Sequence, residues 1–580
     1  CRFASKIPLN PIGCGFEVNM KNIKKYIIGI AASICLTQCD VLDVDPTGWY
    51  SENVAYSSLE NVDLYVKGLY SVLYDNATIN IDSYCLMDDG ATDLLKYSWY
   101  GVNGGAMNKF FYQTNYVTET SNFRSNWSGM YTRIRQLNEY FYDRSKGYGD
   151  NLDQDEMKKR TAEVRFLRAF AYQELVLRHG GVILRTDEDY VDGPDERAKA
   201  RSSESDCWDF IINEYTQAVQ DLPENWTGTN VGRITKGAAY GMKARAALYA
   251  KRWGDAIDAC NEVLKLNYSL LQGTTANDYY KIFTSVNNSE LILPVYFQQG
   301  KNAKQHSFDI YVCPPYDWKA AGVTEGSVGA AVTPSDEYAS SFDIKVNGSY
   351  QSFDWSNLSS YNNAPFTNRE PRFYASILYN GATWKGRTLQ LYVDGNDGYM
   401  DFATTGQDNV HKSTTGYLIR KFASDDTNIN FSSILSGQYW IEMRLAEIYL
   451  IRSEAYARQN EFGKAYADLK TIRDRVGLPE LAQQNNWSDY LEDLSKERIC
   501  ELGMEGHRYF DLIRWGIAVR TLDHKRLHGV KITQAGGSFS YARVECDTQD
   551  RLFPEKYTIF PIPYTELQDN TLCEQNELWK

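Results

Sequence analysis

The chain has few histidines and none of the short motifs that mark common catalytic or nucleotide-binding sites. It contains 6 histidines in 580 residues, and none clusters with cysteine at zinc-ligand spacing. The phosphate-binding P-loop, the G-x-S-x-G nucleophile elbow and the H-E-x-x-H metalloprotease motif are all absent. These absences argue against a metal enzyme, a P-loop nucleotide hydrolase and a serine hydrolase, and we expect no cofactor and no metal.

The chain also lacks a long apolar run. A bilayer-spanning helix needs about 20 apolar residues, whereas the apolar run at Tyr26–Leu36 is shorter. It follows Met20 and a Lys-rich start, which is the pattern of a secretory signal. Leu36, three positions before Cys39, predicts a bacterial lipoprotein that is lipidated at Cys39 and anchored by acyl chains. The alternative is an ordinary cleaved signal, because Gln38 stands where Gly, Ala or Ser is usual.

The signal divides the start of the chain into three segments. We interpret residues 1–19 as upstream sequence that is not part of the protein proper, and 20–38 as the lipoprotein signal peptide. Residues 39–60 are a lipid-anchored tether, and 61–580 form the folded body.

Basic residues are outnumbered by acidic ones. The chain has 61 Lys and Arg against 75 Asp and Glu, and a net charge of −14. An acidic protein repels the phosphate backbone of nucleic acids and anionic lipid headgroups. The charge therefore predicts no nucleic-acid partner, while neutral ligands remain open.

The cysteines that follow Cys39 are too widely spaced to form the disulfide framework of a small secreted domain. Free buried thiols are therefore predicted. They are Cys85, Cys207, Cys260, Cys313, Cys500, Cys546 and Cys573.

Aromatic residues are abundant, with 43 Tyr and 13 Trp. Both side chains combine an apolar face with a polar group, which suits protein interfaces and the C–H faces of sugar rings. Most of them belong in the core. Because 43 tyrosines exceed what a core needs, we expect some to serve surface recognition.

Apolar residues recur at helical spacing in both ends of the chain. Two helix pairs have similar sequences, Leu248-Tyr249…Ala256 and Ala455-Tyr456…Ala465, and small residues at their contact resemble tetratricopeptide repeats. Such pairs stack into a curved scaffold. The predicted helices cover 158–179, about 205–221, 235–251, a segment from 255, 444–458 and a segment after 462.

Residues 267–440 are rich in Gly, Asn, Ser, Asp and aromatics and show few long periods. Short strand-like runs are predicted at Leu291–Phe297, Phe373–Leu378 and Tyr417–Phe422. The predicted fold is mainly α, a tetratricopeptide-like helix-pair scaffold with a loop-rich insertion containing short β-strands. The frame covers about 61–266 and 441–520, the insertion about 267–440 and a closing segment 521–580.

Two groups of aromatics are candidate ligand contacts, and Trp99 and Tyr100 with Tyr316 and Trp318 are predicted to form an exposed, ring-stacking platform. One lies in Asp88–Gly105, which is predicted to be a loop because it is rich in Gly and Asp and has no apolar period. The other follows the rigid Pro314-Pro315. The alternative for each residue is local packing. The candidates are Tyr97, Trp99, Tyr100, Tyr316 and Trp318.

Charged residues crowd one C-terminal segment, which permits two interpretations. One is an acid/base site; the other is a paired network that holds the last helices together, because buried charges need partners. We favour the network, and no carboxylate pair of a glycosidase stands out. The residues are Glu497, Arg498, Glu501, Glu505, His507, Arg508, Asp511 and Arg514.

Asp394–Tyr399 resembles part of a calcium-binding loop. The ligand register does not fit, and Thr405 stands where the loop requires a closing glutamate. A tight turn is therefore predicted.

Several segments spread from Cys39 to the end of the chain match signature segments of one known family in the same order. They are Cys39–Gly48, Ala162–Phe170 with Arg178–Val182, Asn368–Tyr374, Arg444–Leu450, Ser495–Trp515 and Phe560–Pro563. No single segment is specific, but through their order and coverage the chain resembles the SusD/RagB lipoproteins of bacterial glycan-uptake systems.

The resemblance implies a surface-exposed, lipid-anchored protein of the outer membrane. It implies a glycan- or oligosaccharide-binding protein without catalytic activity that delivers its ligand to a partner, a SusC-like TonB-dependent transporter. In that family the glycan site is built from loop aromatics, at positions that vary. A member that binds peptides or other nutrients is the first alternative, and a glycan-degrading enzyme is the second.

Overall fold

The structure is a computed structural model that describes residues 52–82, 86–97, 104–121, 123–190, 198–300, 303–320, 329–397, 412–426 and 435–580. Helices dominate these ranges. In chain order they are α1 Glu52–Ala55, α2 Leu59–Leu69, α3 Ser71–Ile81, α4 Met87–Gly90, α5 Gly104–Tyr112, α6 Trp127–Ser145, α7 Gln154–His179, α8 Glu204–Asp221, α9 Lys236–Tyr249, α10 Trp253–Leu264, α11 Ala276–Thr284, α12 Phe308–Val312, α13 Pro315–Ala320, α14 Asp336–Ser341, α15 Pro371–Ser376, α16 Leu445–Arg458, α17 Phe462–Asp474, α18 Trp487–Leu502, α19 Arg508–Arg514, α20 Ala518–Leu522 and α21 Tyr564–Asp569.

The strands of the described residues form six separate two-stranded antiparallel sheets. Each sheet is small. The sheets connect loops to one another, and they do not form a layer of the fold. The pairs are β1 Leu95–Tyr97 with β3 Val332–Pro334, β2 Leu291–Val295 with β10 Trp440–Arg444, β4 Ile344–Val346 with β5 Ser349–Gln351, β6 Ile377–Leu378 with β9 Leu418–Ile419, β7 Thr383–Trp384 with β8 Arg387–Thr388, and β11 His528–Ala535 with β12 Ser538–Glu545.

The long helices form one continuous stack. Helix α6 packs on α7, α7 on α8, α8 on α9, and α9 on α10; α10 then packs on α16, and α16 on α17. The chain leaves this stack after α10 and returns to it at α16. The predicted fold class, a helix-pair scaffold with short strands outside it, is confirmed.

Helix α7 shows how local sequence sets the ends of these helices. The Asp153 carboxylate accepts hydrogen bonds from the backbone N–H groups of Asp155 and Glu156, so it satisfies donors that the first turn leaves free. The helix ends at Gly180, whose φ of +68° suits glycine. The predicted stop at the Gly-Gly pair is confirmed.

Small residues let α9 approach its neighbours closely, as predicted. A Cβ added to Gly241 would lie 2.2 Å from Met443 Sδ and 3.4 Å from Ile448 Cδ1. Since Met443 belongs to β10 and Ile448 to α16, this glycine lets the N-terminal helices contact the C-terminal part of the chain.

Two local predictions are wrong. Residues 88–97, predicted as a loop, contain α4 and β1, because β1 finds its partner strand far away in sequence. Phe373–Leu378, predicted as a strand, is mostly α15. Pro371 begins this helix, because its fixed φ suits the first helical position.

The hairpin β11–β12 was not predicted, although its Gly536-Gly537 turn, with φ of +56° and +81°, is a hairpin signal.

The cysteine prediction is confirmed where the structure describes these residues. Cys207, Cys260, Cys313, Cys500, Cys546 and Cys573 are free and buried. Cys85 lies outside the described residues.

His179, at the end of α7, is a buried neutral group. Its Nδ1–H donates to the Pro561 carbonyl (3.1 Å), and Nε2 lies 3.4 Å from Ser125 Oγ. Burial, with a smaller contribution from Arg178, lowers the pKa of His179 to about 3. The folded state therefore binds this proton less readily than the unfolded state, whose pKa is about 6.5.

We expect His179 to make stability depend on pH. Its contribution is full above pH 6.5 and is lost as the pH falls toward 3, by about 1.4 kcal/mol per pH unit. Urea unfolding at pH 7, 5.5 and 4 should show a shallower pH dependence for His179→Gln than for the wild type. His524→Gln is the control, since that side chain is 73% exposed. Equal slopes in all three proteins would contradict the expectation.

Candidate functional site

The charged C-terminal segment is a closed ion-pair network. Arg444 lies at its centre, with Nη1 2.7 Å from Glu290 Oε1 and 2.6 Å from Glu501 Oε1. Its Nη2 donates to Glu505 Oε1 at 2.7 Å. Arg372 bridges Glu497 and Glu501. These side chains are all buried.

The protonation of these carboxylates follows from their partners. Burial alone would raise the pKa of Glu501, but Arg475 and Arg444 hold it well below its usual range. Arg444 and Lys421 likewise outweigh burial and lower the pKa of Glu505 to about 2. Carboxylates held this firmly in the charged form are poor proton donors or acceptors near neutral pH. This supports the network interpretation over an acid/base site.

Residues 394–397, the described part of the calcium-like segment, form a turn. The Gly395 N–H donates to the Tyr392 carbonyl at 2.8 Å. The Asp397 carboxylate accepts hydrogen bonds from the Gln390 N–H (2.7 Å) and Arg387 Nη1 (2.9 Å), so protein donors occupy it. Within the described ranges, no three His, Cys, Asp or Glu side chains lie where they could hold a metal ion together.

Tyr97 does not fit the role of an exposed ligand contact. It is 3% exposed, and as the last residue of β1 it pairs with Val332 of β3. Its ring also lies against Gly90, where an added Cβ would come within 2.2 Å of the ring. The assignment of Tyr97 to an exposed surface is therefore wrong, and Tyr97 belongs to the core.

Tyr316 lies in α13 and remains half-buried. The Arg387 guanidinium lies over its ring, 5.1 Å from the centroid. Trp318 belongs to the same helix, and its side chain lies outside the described part of the structure. Trp99, Tyr100 and Cys39 also lie outside the described residues, so their assignments stay predictions.

Asp317 fixes the hairpin β7–β8 beside α13. Its carboxylate accepts hydrogen bonds from Trp384 Nε1 (3.0 Å) and Arg387 Nη2 (2.6 Å), and Arg387 also pairs with Asp397. The side chains of Trp384 and Arg387 were not predicted as part of the site. The turn Lys385-Gly386, with φ of +48° and +78°, is the hairpin signal that would have located them.

The structure brings the two aromatic segments to adjacent elements. Tyr97 pairs with Val332 across β1–β3. Two residues before Val332, the Ala330 N–H donates to the Cys313 carbonyl at 3.1 Å. Cys313 directly precedes Pro314-Pro315 and α13. Residues that flank Trp99 and residues that precede Tyr316 are thus connected through one strand pair and one hydrogen bond.

No helix in the described part of the chain combines the length and apolar character needed to cross a membrane.

Two family models match the chain and together cover most of it. The model described as "SusD family" matches residues 289–579. The model described as "Starch-binding associating with outer membrane" matches residues 52–248.

Individual proteins are similar over most of their length. A SusD-like protein of Formosa agariphila is 23% identical over 539 residues, which cover 86% of this chain and 90% of that protein. The starch-binding protein SusD of Bacteroides thetaiotaomicron is 24% identical over 494 residues, 79% of each chain. A solved SusD-like protein from Bacteroides fragilis superposes with a TM-score of 0.76 at 28% identity, covering 91% of this chain and 98% of that one.

Proposed function

Because the chain belongs to the SusD family, we propose that it is a lipoprotein of the outer membrane that binds glycans or oligosaccharides at the cell surface. It captures its ligand without chemical change and delivers it to a SusC-like TonB-dependent transporter. The starch-binding description of the N-terminal match and the similarity to a starch-binding protein support this ligand class. Peptides or other nutrients remain the alternative ligands.

One structural observation supports the proposed position of the binding site. Strand β1, which precedes Trp99 and Tyr100, pairs with β3. Ala330, two residues before β3, donates a hydrogen bond to Cys313, which precedes Tyr316 and Trp318. We propose that the rings of these two segments form a surface on which a sugar ring stacks, with Arg387, beside Tyr316, as a hydrogen-bond donor. We therefore place the glycan site at the end of β1 and α13.

The absence of catalysis is part of the proposal. The acidic residues of the C-terminal network are paired and buried, which supports a structural role. A reducing-sugar assay with the purified chain tests it, since turnover on a glycan panel would establish an enzyme instead.

The anchor and the transporter partner complete the proposal. Lipidation at Cys39 would hold the chain at the membrane, and the rigid helical stack offers a large docking surface. A Cys39→Ala variant should leave the membrane fraction. Copurification of a β-barrel protein with the wild type in mild detergent tests the partner, and its absence under every expressing condition would contradict it.

Trp99→Ala and Trp318→Ala are each expected to weaken glycan binding about fivefold to tenfold. Ring stacking contributes about 1 kcal/mol beyond the area it buries, and 1.4 kcal/mol corresponds to a factor of ten. The dissociation constant for the best ligand of a glycan array, measured by titration calorimetry on the lipid-free chain, checks this. The melting temperature of both variants should stay near that of the wild type.

Tyr97→Ala is the contrasting variant. Its ring is buried, so truncation should cost about 3–5 kcal/mol of stability. If the tryptophan variants melt at clearly lower temperature and bind normally, those tryptophans are core residues and the site lies elsewhere.

A further inference from the structure

A second concave site lies at the helical stack, on elements other than those of the proposed glycan site. It is a cavity of about 390 Å³ between the α9–α10 turn, α16 and the end of α19. Its lining includes three aromatic and four charged residues. They are Tyr249, Trp253, Trp515, Lys251, Glu454, Arg458 and Arg514.

Arg458 is the distinctive group of this cavity. Its guanidinium carbon lies 3.4 Å from the centroid of the Trp487 ring and 5.4 Å from that of Trp253. Two indoles therefore hold the cation in place. Among the described residues no carboxylate lies within ion-pair distance of Arg458, and its buried Nε has no hydrogen-bond partner.

The other arginine that lines the cavity, Arg514, has carboxylate partners. Arg514 pairs with Glu454 and Asp511, and its pKa is raised by those carboxylates against the effect of burial. Burial lowers the pKa of Arg458 instead. Arg458 is thus a partly desolvated cation that forms no ion pair within 4 Å among the described residues, and Glu454 acts on it only from a longer distance.

Glu454 adds a second, different polar function. It lies one helical turn before Arg458 on α16, hence on the same face. Its Oε1 accepts a hydrogen bond from Trp515 Nε1 at 3.0 Å and one from Arg514. Its Oε2 is buried without a partner in the described structure. Lys251, exposed, also lines the cavity.

We propose that this cavity binds the carboxylate of an acidic sugar, a uronic acid residue, at Arg458. A planar guanidinium held between rings pairs with a planar carboxylate through two hydrogen bonds. The Glu454 carboxylate, on the same helix face, disfavours a doubly charged phosphate. The choice of a sugar rests on the proposed glycan-binding function, whereas the choice of an anion rests on Arg458 and Lys251.

The test uses the lipid-free chain and three trisaccharide probes, namely trigalacturonate, its carboxyl-reduced neutral form and a sulfated neutral trisaccharide. We expect the wild type to bind trigalacturonate at least tenfold more tightly than the other two. Arg458→Met should abolish this preference, Arg458→Lys should retain part of it, and Lys251→Gln should reduce it. Arg526→Met, at an exposed arginine, should leave it unchanged.

The outcomes separate this site from the proposed glycan site. Loss of the uronate preference in Arg458→Met, but not in Trp99→Ala, supports a distinct acidic-sugar site. Equal binding of the uronate and neutral probes by the wild type, or full preference in folded Arg458→Met, overturns the proposal. Equal binding of the sulfated probe overturns carboxylate selectivity. If Arg458→Met does not fold, the Lys251→Gln and Arg458→Lys measurements decide, and unchanged preference in both overturns it.

Discussion

Arg444→Met is expected to destabilise the protein by about 3–5 kcal/mol, because removing one partner of a buried ion pair leaves the others uncompensated. Here three buried carboxylates lose a partner, those of Glu290, Glu501 and Glu505. Arg475 and Lys421 still pair with Glu501 and Glu505, so these carboxylates keep part of their charge compensation. The free energy of unfolding, measured by urea denaturation at pH 7, should show this loss.

Arg526→Met provides the matched control for Arg444→Met. Arg526 also forms two ion pairs, with Glu545 at 3.0 Å and Asp550 at 2.7 Å, but all three side chains are more than a third exposed. Exposed pairs contribute little to stability, so the loss in Arg526→Met should be much smaller than the loss in Arg444→Met. Similar losses in both variants would show that burial of the network is not what makes Arg444 important.

Gly181→Ala is expected to destabilise the fold by about 2–3 kcal/mol. A Cβ at this position would lie 2.3 Å from the Ser202 carbonyl oxygen and 3.0 Å from the Glu204 nitrogen. Both atoms are backbone, so relief requires the segment that leads into α8 to move away from the end of α7. Overpacking of this kind costs 1–3 kcal/mol and occasionally more. The shift in the urea midpoint measures it.

Gly68→Ala makes the same chemical change in an open site. Gly68 lies inside α2, and nothing lies within 4 Å of an added Cβ. Alanine should stabilise this helix by about 0.5–1 kcal/mol. We expect the free energy of unfolding to fall in Gly181→Ala and to rise in Gly68→Ala. Destabilisation by Gly68→Ala would contradict the expectation that helix propensity determines stability at this position.

The helical frame was predictable because its signals are local. Apolar spacing, the Asp153 cap and the Gly180 stop all lie within a few residues of the helix ends that they set. The same holds for the paired helices α9–α10 and α16–α17, because the small residues at their contacts can be recognised in the sequence.

The candidate site was predictable only in part, because its structure depends on distant pairing. Tyr97 lies in a Gly-rich, aperiodic segment, yet it is buried and pairs with Val332, more than 230 residues away. Nothing near Tyr97 in sequence indicates that pairing. Arg458 was missed for a related reason, since its importance comes from Trp253 and Trp487 on other helices.

The departure of the chain from the stack after α10 and its return at α16 has a consequence for folding. The contact between these two helices joins segments about 180 residues apart, so its closure carries a large loop entropy. During synthesis from the N- to the C-terminus, one side of α10 stays uncovered until α16 has been synthesised. Cys260 and Ile257, which are buried in the folded protein, belong to α10. Before α16 packs on this helix, the incomplete helical stack is therefore most exposed to association with chaperones or with another incomplete copy of the chain.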